Sequence, residues 1–447
     1  MYARLICSWL LLCSCNYLAA QSQLANYIEK GIQSNVALQQ LDFQLEAALH
    51  ALAEAKADRS VRLDLLPQYT VAAGGRTIDL PVGDLLNPVY SSLNELTASG
   101  LFPQIDNVSE LLNPNNFYDV KVRASYPIIN SKIGINTSIK SLEKDLATQD
   151  IAIYKRELSQ QIAKAYFDVL SAQRAIDIYQ NARVLIQESL RVNQSLFKND
   201  KVNRTAVARN EQDLRSIDAD IANAKLQANS AAAYLNFLTN APLDTPIQVD
   251  EITGLPSMDI LLTANTGRRE ELDKLNTAMQ IDQQLVDLAK TYRKPELNVF
   301  VDLGMQDFDF NVDGNSPYIF GGLSLQLNLF DGGKGRKSVK KQQMLVQARQ
   351  KELENTEDLL QLELFTTRNE LAQALETYQT EEAQIRLYEK IYQDQLSLYK
   401  NNKVNYIALL EARNDLINAQ LNTALAIFDA WNKHAKLIRV GAISYQY

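Results

Sequence analysis

The sequence predicts a mainly α-helical chain with two pairs of β-strands, built as one strand–strand–helical-hairpin unit used twice. Three observations carry this. The 447 residues include only 16 Gly and 11 Pro, and neither occurs within residues 135–241 or 336–440. Runs of that length far exceed an ordinary helix and leave no room for the frequent turns of a compact α/β enzyme. Between the runs, short segments alternate apolar and polar residues with period two, as strands do. Finally, Ser195–Asn203 (SLFKNDKVN) recurs as Ser397–Asn405 (SLYKNNKVN), and Ala206, Asp213 and Leu214 recur as Ala408, Asp415 and Leu416. Self-similarity over that span means one structural unit repeated.

The first element is the N-terminal segment. A lone Arg4, the apolar stretch Leu5–Leu12 and small residues up to Ala19-Ala20 read as a secretory signal peptide over residues 1–20, too short to span a bilayer. Cleavage after Ala20 leaves Gln21 first. The alternative is lipidation, since Leu12-Cys13-Ser14-Cys15 resembles a bacterial lipobox with Cys15 as the acylated residue. All three cysteines lie here, so the mature chain has no pair for a disulfide or a thiol metal site.

Two units follow, residues 21–253 and 254–447. In the first, strands are expected at about 65–74 and 119–130. Val120, Val122, Ala124 and Tyr126 alternate there with Lys121, Arg123 and Ser125. In the second, strands are expected at about 296–305 and 318–330, where Val299, Val301, Leu303 and Met305 alternate with Phe300, Asp302 and Gly304. Leu323, Leu325, Leu327 and Leu329 alternate with Ser324, Gln326 and Asn328. Such a strand has lipid or core on one side and water on the other. Aromatics gather at the segment ends, among them Tyr69, Phe117, Tyr118, Phe320 and Phe330, as in an interfacial girdle or at the ends of a soluble sheet. No later segment holds eighteen uncharged apolar residues, so any membrane crossing by the mature chain is by strands. The links differ: 75–118 holds four of the eleven prolines and suggests a loop with a short helix near Val108–Leu112, whereas 306–317 is short.

Helical hairpins are expected at about 132–240 and 336–440. The run from Lys132 to Phe197 would be roughly 100 Å long at 1.5 Å per residue. Apolar residues recur near heptad spacing at Leu158, Ile162, Ala165, Val169, Ala172, Ile176 and Tyr179. The second stripe reads Leu359, Leu362, Phe365, Leu371, Leu375 and Tyr378. This is the pattern of antiparallel coiled-coil hairpins turning at KNDKVN and KNNKVN.

Catalytic chemistry is missing from this pattern. His50 and His434 have no Cys or His at ligand spacing, so neither a metal nor a cofactor is expected. Asp331–Gly335 (DGGKG) lacks the spacing of a phosphate loop and falls where a strand turns into a helix. Glu352/Glu354 and Glu381/Glu382 lie on charged helical faces. A formal charge of −8 argues against nucleic acid as a partner.

An exported chain with this duplicated order resembles the TolC family of outer-membrane channels. The resemblance rests on Leu24–Leu41 (LANYIEKGIQSNVALQQL), which is similar to the family's amphipathic first helix. It rests equally on the strand-to-helix turns PIINSKIG and NLFDGGKG and on the two hairpin turns. It implies a homotrimer in the outer membrane of a Gram-negative bacterium. Each protomer would give four strands to one twelve-stranded barrel, with the helices forming a periplasmic coiled-coil tube. It further implies a passive exit duct of a tripartite efflux pump or type I secretion system, multidrug efflux included. The duct would dock with a periplasmic adaptor and an inner-membrane pump of the RND, ABC or MFS type, and open by an iris-like movement of helices. Family glycines in the tip turns fall on Asp200 and Asn402, which tolerate the left-handed conformation. Acidic positions that narrow the mouth fall on Ala206 and Ala408. Glu411 and its repeat-equivalent Arg209 are then the gate candidates, as a pair across the mouth. Asp200, Lys201, Asn402 and Lys403 are candidates for adaptor contact. The rival reading is a periplasmic coiled-coil adaptor of an export complex, which predicts one hairpin between compact β-domains.

Overall fold

A computed structural model describes residues 23–252, 254–260, 264, 269–401 and 403–443. The leader with Cys15 and Ala20, and the tip residue Asn402, lie outside the described residues. In chain order the elements are α1 (Gln23–Ser34), α2 (Val36–Ala57), β1 (Arg62–Thr70), β2 (Thr77–Leu80), α3 (Val82–Thr97), β3 (Val108–Leu111) and β4 (Phe117–Ile129). There follow α4 (Ser131–Lys198), α5 (Arg204–Leu238), α6 (Glu270–Lys290), a 3₁₀ turn (Thr291–Arg293), β5 (Glu296–Phe308), β6 (Pro317–Gln326), α7 (Lys334–Lys400) and α8 (Tyr406–Val440). The long helices thus start and stop within a few residues of the breaker-free runs. Among the described residues no helix is long and apolar enough to cross a membrane.

Contacts divide the chain into two compact units, each drawing on both halves of the sequence. One holds the residues up to His50, Ser141–Gln283 and those from Gln343 onward; the other holds Ala51–Lys140 and Gln284–Gln342.

The first unit is helical. Its largest core joins Leu24 and Ile28 of α1 to Leu158, Ile162, Tyr166 and Phe167 of α4, with Leu235 and Leu238 of α5 and Phe428 of α8. Gly31 lets α1 approach closely, because a Cβ there would sit 2.2 Å from Ile162 Cδ1. Asn35 separates α1 from α2: its Oδ1 accepts from the Ala37 and Leu38 amides at 3.0 and 3.2 Å, capping α2. Its Nδ2 donates to the Leu238 carbonyl at 3.0 Å. Of the predicted stripe, Leu158, Ile162, Ala165, Val169 and Ile176 are buried, and Ala172 and Tyr179 are half-buried. In α7 the stripe divides. Leu371 and Leu375 are buried, but Leu359, Leu362 and Phe365 are exposed and Leu360 and Leu364 are buried instead. Apolar residues there occupy more than one helical face, and the chain covers only one of them.

His434 lies in this unit with its ring edge-on to Trp431 at 5.6 Å, and its Nδ1 is buried without a partner. Burial pulls its pKa down to about 4. An unfolded imidazole titrates near 6.5, so between these values the unfolded chain binds more protons than the folded one. The stability held by the neutral ring is therefore full above pH 6.5 and is lost as pH falls towards 4, on the order of 3 kcal/mol. His434→Phe should flatten that slope in urea unfolding curves taken across this window. Equal slopes in both proteins would show that another group sets it.

The second unit holds the sheets. β1, β4, β5 and β6 form one antiparallel sheet in that order, and β2 pairs with β3 in a small separate one. The link between β1 and β4 departs from the predicted loop: residues 108–111 are the strand β3, and the helix is α3, which contains Pro88. Two asparagines seven residues apart explain it. Asn87 exchanges two hydrogen bonds with the Ile105 backbone, both 2.9 Å, and Asn94 does the same with Phe102 at 2.7 and 3.1 Å. These fasten residues 102–105 along α3 and outweigh the helix bond that Pro88 removes. The alternation predicted to Phe330 ends at Gln326, opposite Glu296 where β5 begins. Beyond that point β6 has run out of partner within the chain.

Candidate functional site

The sheet has two chemically opposite faces. Reading across the register, Leu65, Val122, Leu303 and Ile319 form one rung, and Leu63, Ala124, Val301 and Gly321 the next. On this face Leu65 is 66%, Leu303 56% and Ile319 73% exposed. The alternate rungs are polar: Asp64, Arg123, Asp302 and Phe320, then Leu66, Lys121, Gly304 and Tyr318. Arg123 grips Asp302 through two 2.7 Å bonds and lies 4.8 Å over the Phe300 ring. Asp119 accepts from Lys121 and, at 2.7 Å, from the Tyr318 hydroxyl. Charge is thus satisfied on one side while the other presents bare aliphatic groups. The long edges of β1 and β6 pair with no strand within the sheet order. Phe310 stacks on Tyr69 and Tyr118, and Phe117 meets Phe308, which groups Tyr69, Phe117 and Tyr118 at one end, whereas Phe320 meets Phe300 within the sheet.

The two hairpin turns close alike. After α4, the Lys201 amide donates to the Leu196 carbonyl at 2.9 Å and Asp200 adopts φ 53°, the left-handed state expected of it. Asn203 then caps α5 by accepting from the Ala206 amide at 3.3 Å. After α7, Lys403 donates to Leu398 at 2.9 Å, and Asn405 caps α8 by accepting from Ala408 at 3.0 Å. The KNDKVN and KNNKVN segments therefore encode a helix stop, a sharp turn and a helix start. Asp200, Lys201 and Lys403 are exposed at these turns. Arg209 and Glu411 are also exposed, and among the described residues no ion pair joins them.

What fastens the hairpins is a buried polar cluster just behind the turns. Tyr399 donates to Asn193 Oδ1 and Tyr406 to Asn210 Oδ1. Tyr406 also reaches Asp213 Oδ2 at 3.0 Å, where Arg413 Nη2 donates at 2.9 Å. The Arg413 side chain is 5% exposed. Burial drives the Tyr406 hydroxyl well above the ordinary phenol range although Arg413 opposes this, so it stays a donor. Sequence reasoning missed these residues. A signal existed: within the recurring stretch, Asn210 faces Ala412, Glu211 faces Arg413 and Arg204 faces Tyr406 as equivalents. Asn210, Tyr406 and Arg413 thus fall where the two copies differ, whereas Asp213 is kept as Asp415. Nothing in the cluster pairs a nucleophile with a base, and among the described residues no acidic, His and Cys group could hold a metal.

The chain thus combines a four-stranded antiparallel sheet with two long helical hairpins. Residues 263–439 match the model of the outer membrane efflux protein family. No curated protein sequence matches the chain. Among solved structures, the outer membrane protein VceC of Vibrio cholerae superposes with a TM-score of 0.75 at 16% identity, over 95% of this chain and 97% of that one. The CmeC outer membrane channel of Campylobacter jejuni gives 0.72 at 16%, over 94% and 85%. The open-state MtrE outer membrane channel of Neisseria gonorrhoeae gives 0.72 at 15%, over 94% and 89%. The fold is therefore the one these outer-membrane channels share.

Proposed function

We propose that the chain is the outer-membrane exit duct of a tripartite efflux pump or a type I secretion system. The observation that carries this is the four-stranded sheet with an exposed apolar face, a charged opposite face and two unpaired edges. Open edges are not tolerated in a bilayer, so such a sheet must close on others. Three copies give twelve strands, with β6 of one protomer continuing beyond Gln326 against β1 of the next. The exposed Leu359, Leu362 and Phe365 of α7 suit packing against a neighbouring copy in a periplasmic tube. The repeated turns support a duplicated unit, 21–253 and 254–447. Arg209 and Glu411 line the mouth as exposed charges, and Asp200, Lys201, Asn402 and Lys403 meet the adaptor. The duct is passive, and a pump of the RND, ABC or MFS type supplies the energy. The N-terminus is processed after Ala20 or acylated at Cys15. The coiled-coil adaptor alternative is disfavoured, because a water-soluble adaptor has no use for the apolar sheet face.

Extraction tests this. The full chain should partition with outer membranes and run as a trimer on gels when unheated, collapsing to the monomer on boiling. Recovery only from the soluble periplasmic fraction would refute it.

A further inference from the structure

We propose that the chain carries a binding site for the headgroup of an anionic phospholipid, at the end of the sheet where the strands meet their helices. The inference rests on the membrane reading above. Between the last turn of α2, the end of β4 and the first turns of α4 lies a cavity of about 370 Å³. Its walls include Lys56, Arg59, Pro127, Ile128, Asn130 and Gly134.

The two cations are unengaged. Lys56 and Arg59 are exposed, and neither forms an ion pair among the described residues, whereas nearby Lys132 is held by Glu296 at 2.6 Å. The opposite wall is apolar. Ile128 is exposed and sits in a β-bulge, after which Ile129 pairs with Leu297, the β5 position beyond Val299 on the apolar face, so the cavity adjoins the end of that face. Free cations on one side and a lipid-facing edge on the other suit a molecule that is anionic at one end and apolar at the other. A free phosphate ion would leave Pro127 and Ile128 without a role.

Two further features agree. The register places Arg62, Ile129, Glu296 and Gln326 at one end of the sheet. The segments leaving that end are strongly basic in a chain of formal charge −8. Residues 327–341 hold Lys334, Arg336, Lys337, Lys340 and Lys341 against Asp331, whose carboxylate accepts the Gly333 and Gly335 amides at 2.9 and 2.6 Å. A basic collar of this kind is attracted to anionic lipid headgroups. Gly134 is the second feature. Glycine is unfavourable within a helix, yet a Cβ at this position would meet nothing within 4 Å. Its backbone is not left-handed, so neither conformation nor packing demands glycine, and its effect is to leave the cavity open.

The test is native mass spectrometry of the full-length protein released from detergent, with phosphatidylglycerol, phosphatidylcholine or inorganic phosphate added separately. Phosphatidylglycerol should be retained over phosphatidylcholine by about tenfold, the scale two partly screened cations supply at an anionic lipid. The preference should disappear in Lys56→Gln/Arg59→Gln and in Gly134→Leu, which fills the cavity and keeps every charge. Lys198→Gln, at the distant turn, should leave it intact. Equal retention of the two lipids overturns the proposal, as does a preference that survives both variants. Displacement of phosphatidylglycerol by millimolar inorganic phosphate would make the site one for free phosphate and overturn it equally. A chain that never enters membranes fails the reading of its function. A membrane-inserted trimer without lipid preference fails this inference alone.

Discussion

Asp213→Ala should release the two hairpins from each other near their turns while the rest of the helical unit stays folded. The reason is the state in which it leaves Arg413. That guanidinium is almost fully buried, and its Nε already lacks a partner. Asp213 is its only ion-pair partner among the described residues and also receives the Tyr406 hydroxyl. Removing one member of a buried pair costs about 3–5 kcal/mol, mostly through the charge left behind. Replacing both charges by apolar groups is far cheaper, so Asp213→Ala/Arg413→Met should recover much of the loss. Hydrogen exchange reports this locally: amides of residues 189–213 and 399–416 should exchange faster in the single variant and return towards wild type in the double. If the cluster holds a mouth closed, the single variant also conducts more in planar bilayers. Unchanged exchange and conductance would show that Asp213 is only a decorated surface position.

Those cluster residues mark where the sequence stops being legible. The long helices were legible because Gly and Pro are confined to their ends, and the strands because their alternation survives in the register. Asp200 could be assigned its turn conformation from chemistry alone. Pro67 sits within β1 opposite Val120, inside the strand expected at about 65–74. An edge strand tolerates this, since a proline need not donate outward. The helix α3 was hidden: local propensity at Pro88 argued against it, and Asn87 and Asn94 reverse that through partners about 8 to 18 residues away. The gate candidates Arg209 and Glu411 came from the family resemblance, which carries over positions along single helices. Which residues actually meet across the hairpins depends on the rotation of each helix about its axis. Spacing does not determine that, so Asp213, Tyr406 and Arg413 emerge only from the fold.

Leu303→Lys should abolish assembly in the membrane fraction, whereas Gln306→Lys, on the same strand but the opposite face, should assemble normally. Leu303 lies on the central strand β5 between Val122 and Ile319. It is 56% exposed within the chain. In water, a lysine at such a site is nearly neutral, within about 0.5 kcal/mol for an ordinary surface position. In lipid, a lysine on the outer face of a barrel costs about 2–4 kcal/mol near the midplane. Each of three protomers would carry the penalty at once, so the trimer should lose several times that amount. Gln306 faces the polar side opposite Asp119, and a lysine there gains a carboxylate neighbour in a wet environment. The unheated trimer band measures both outcomes against the wild type. A Leu303→Lys protein that forms this band as efficiently as the wild type would mean that the apolar face does not meet lipid. The exposed leucines would then need a protein partner instead, and the coiled-coil adaptor would become the better account of the chain.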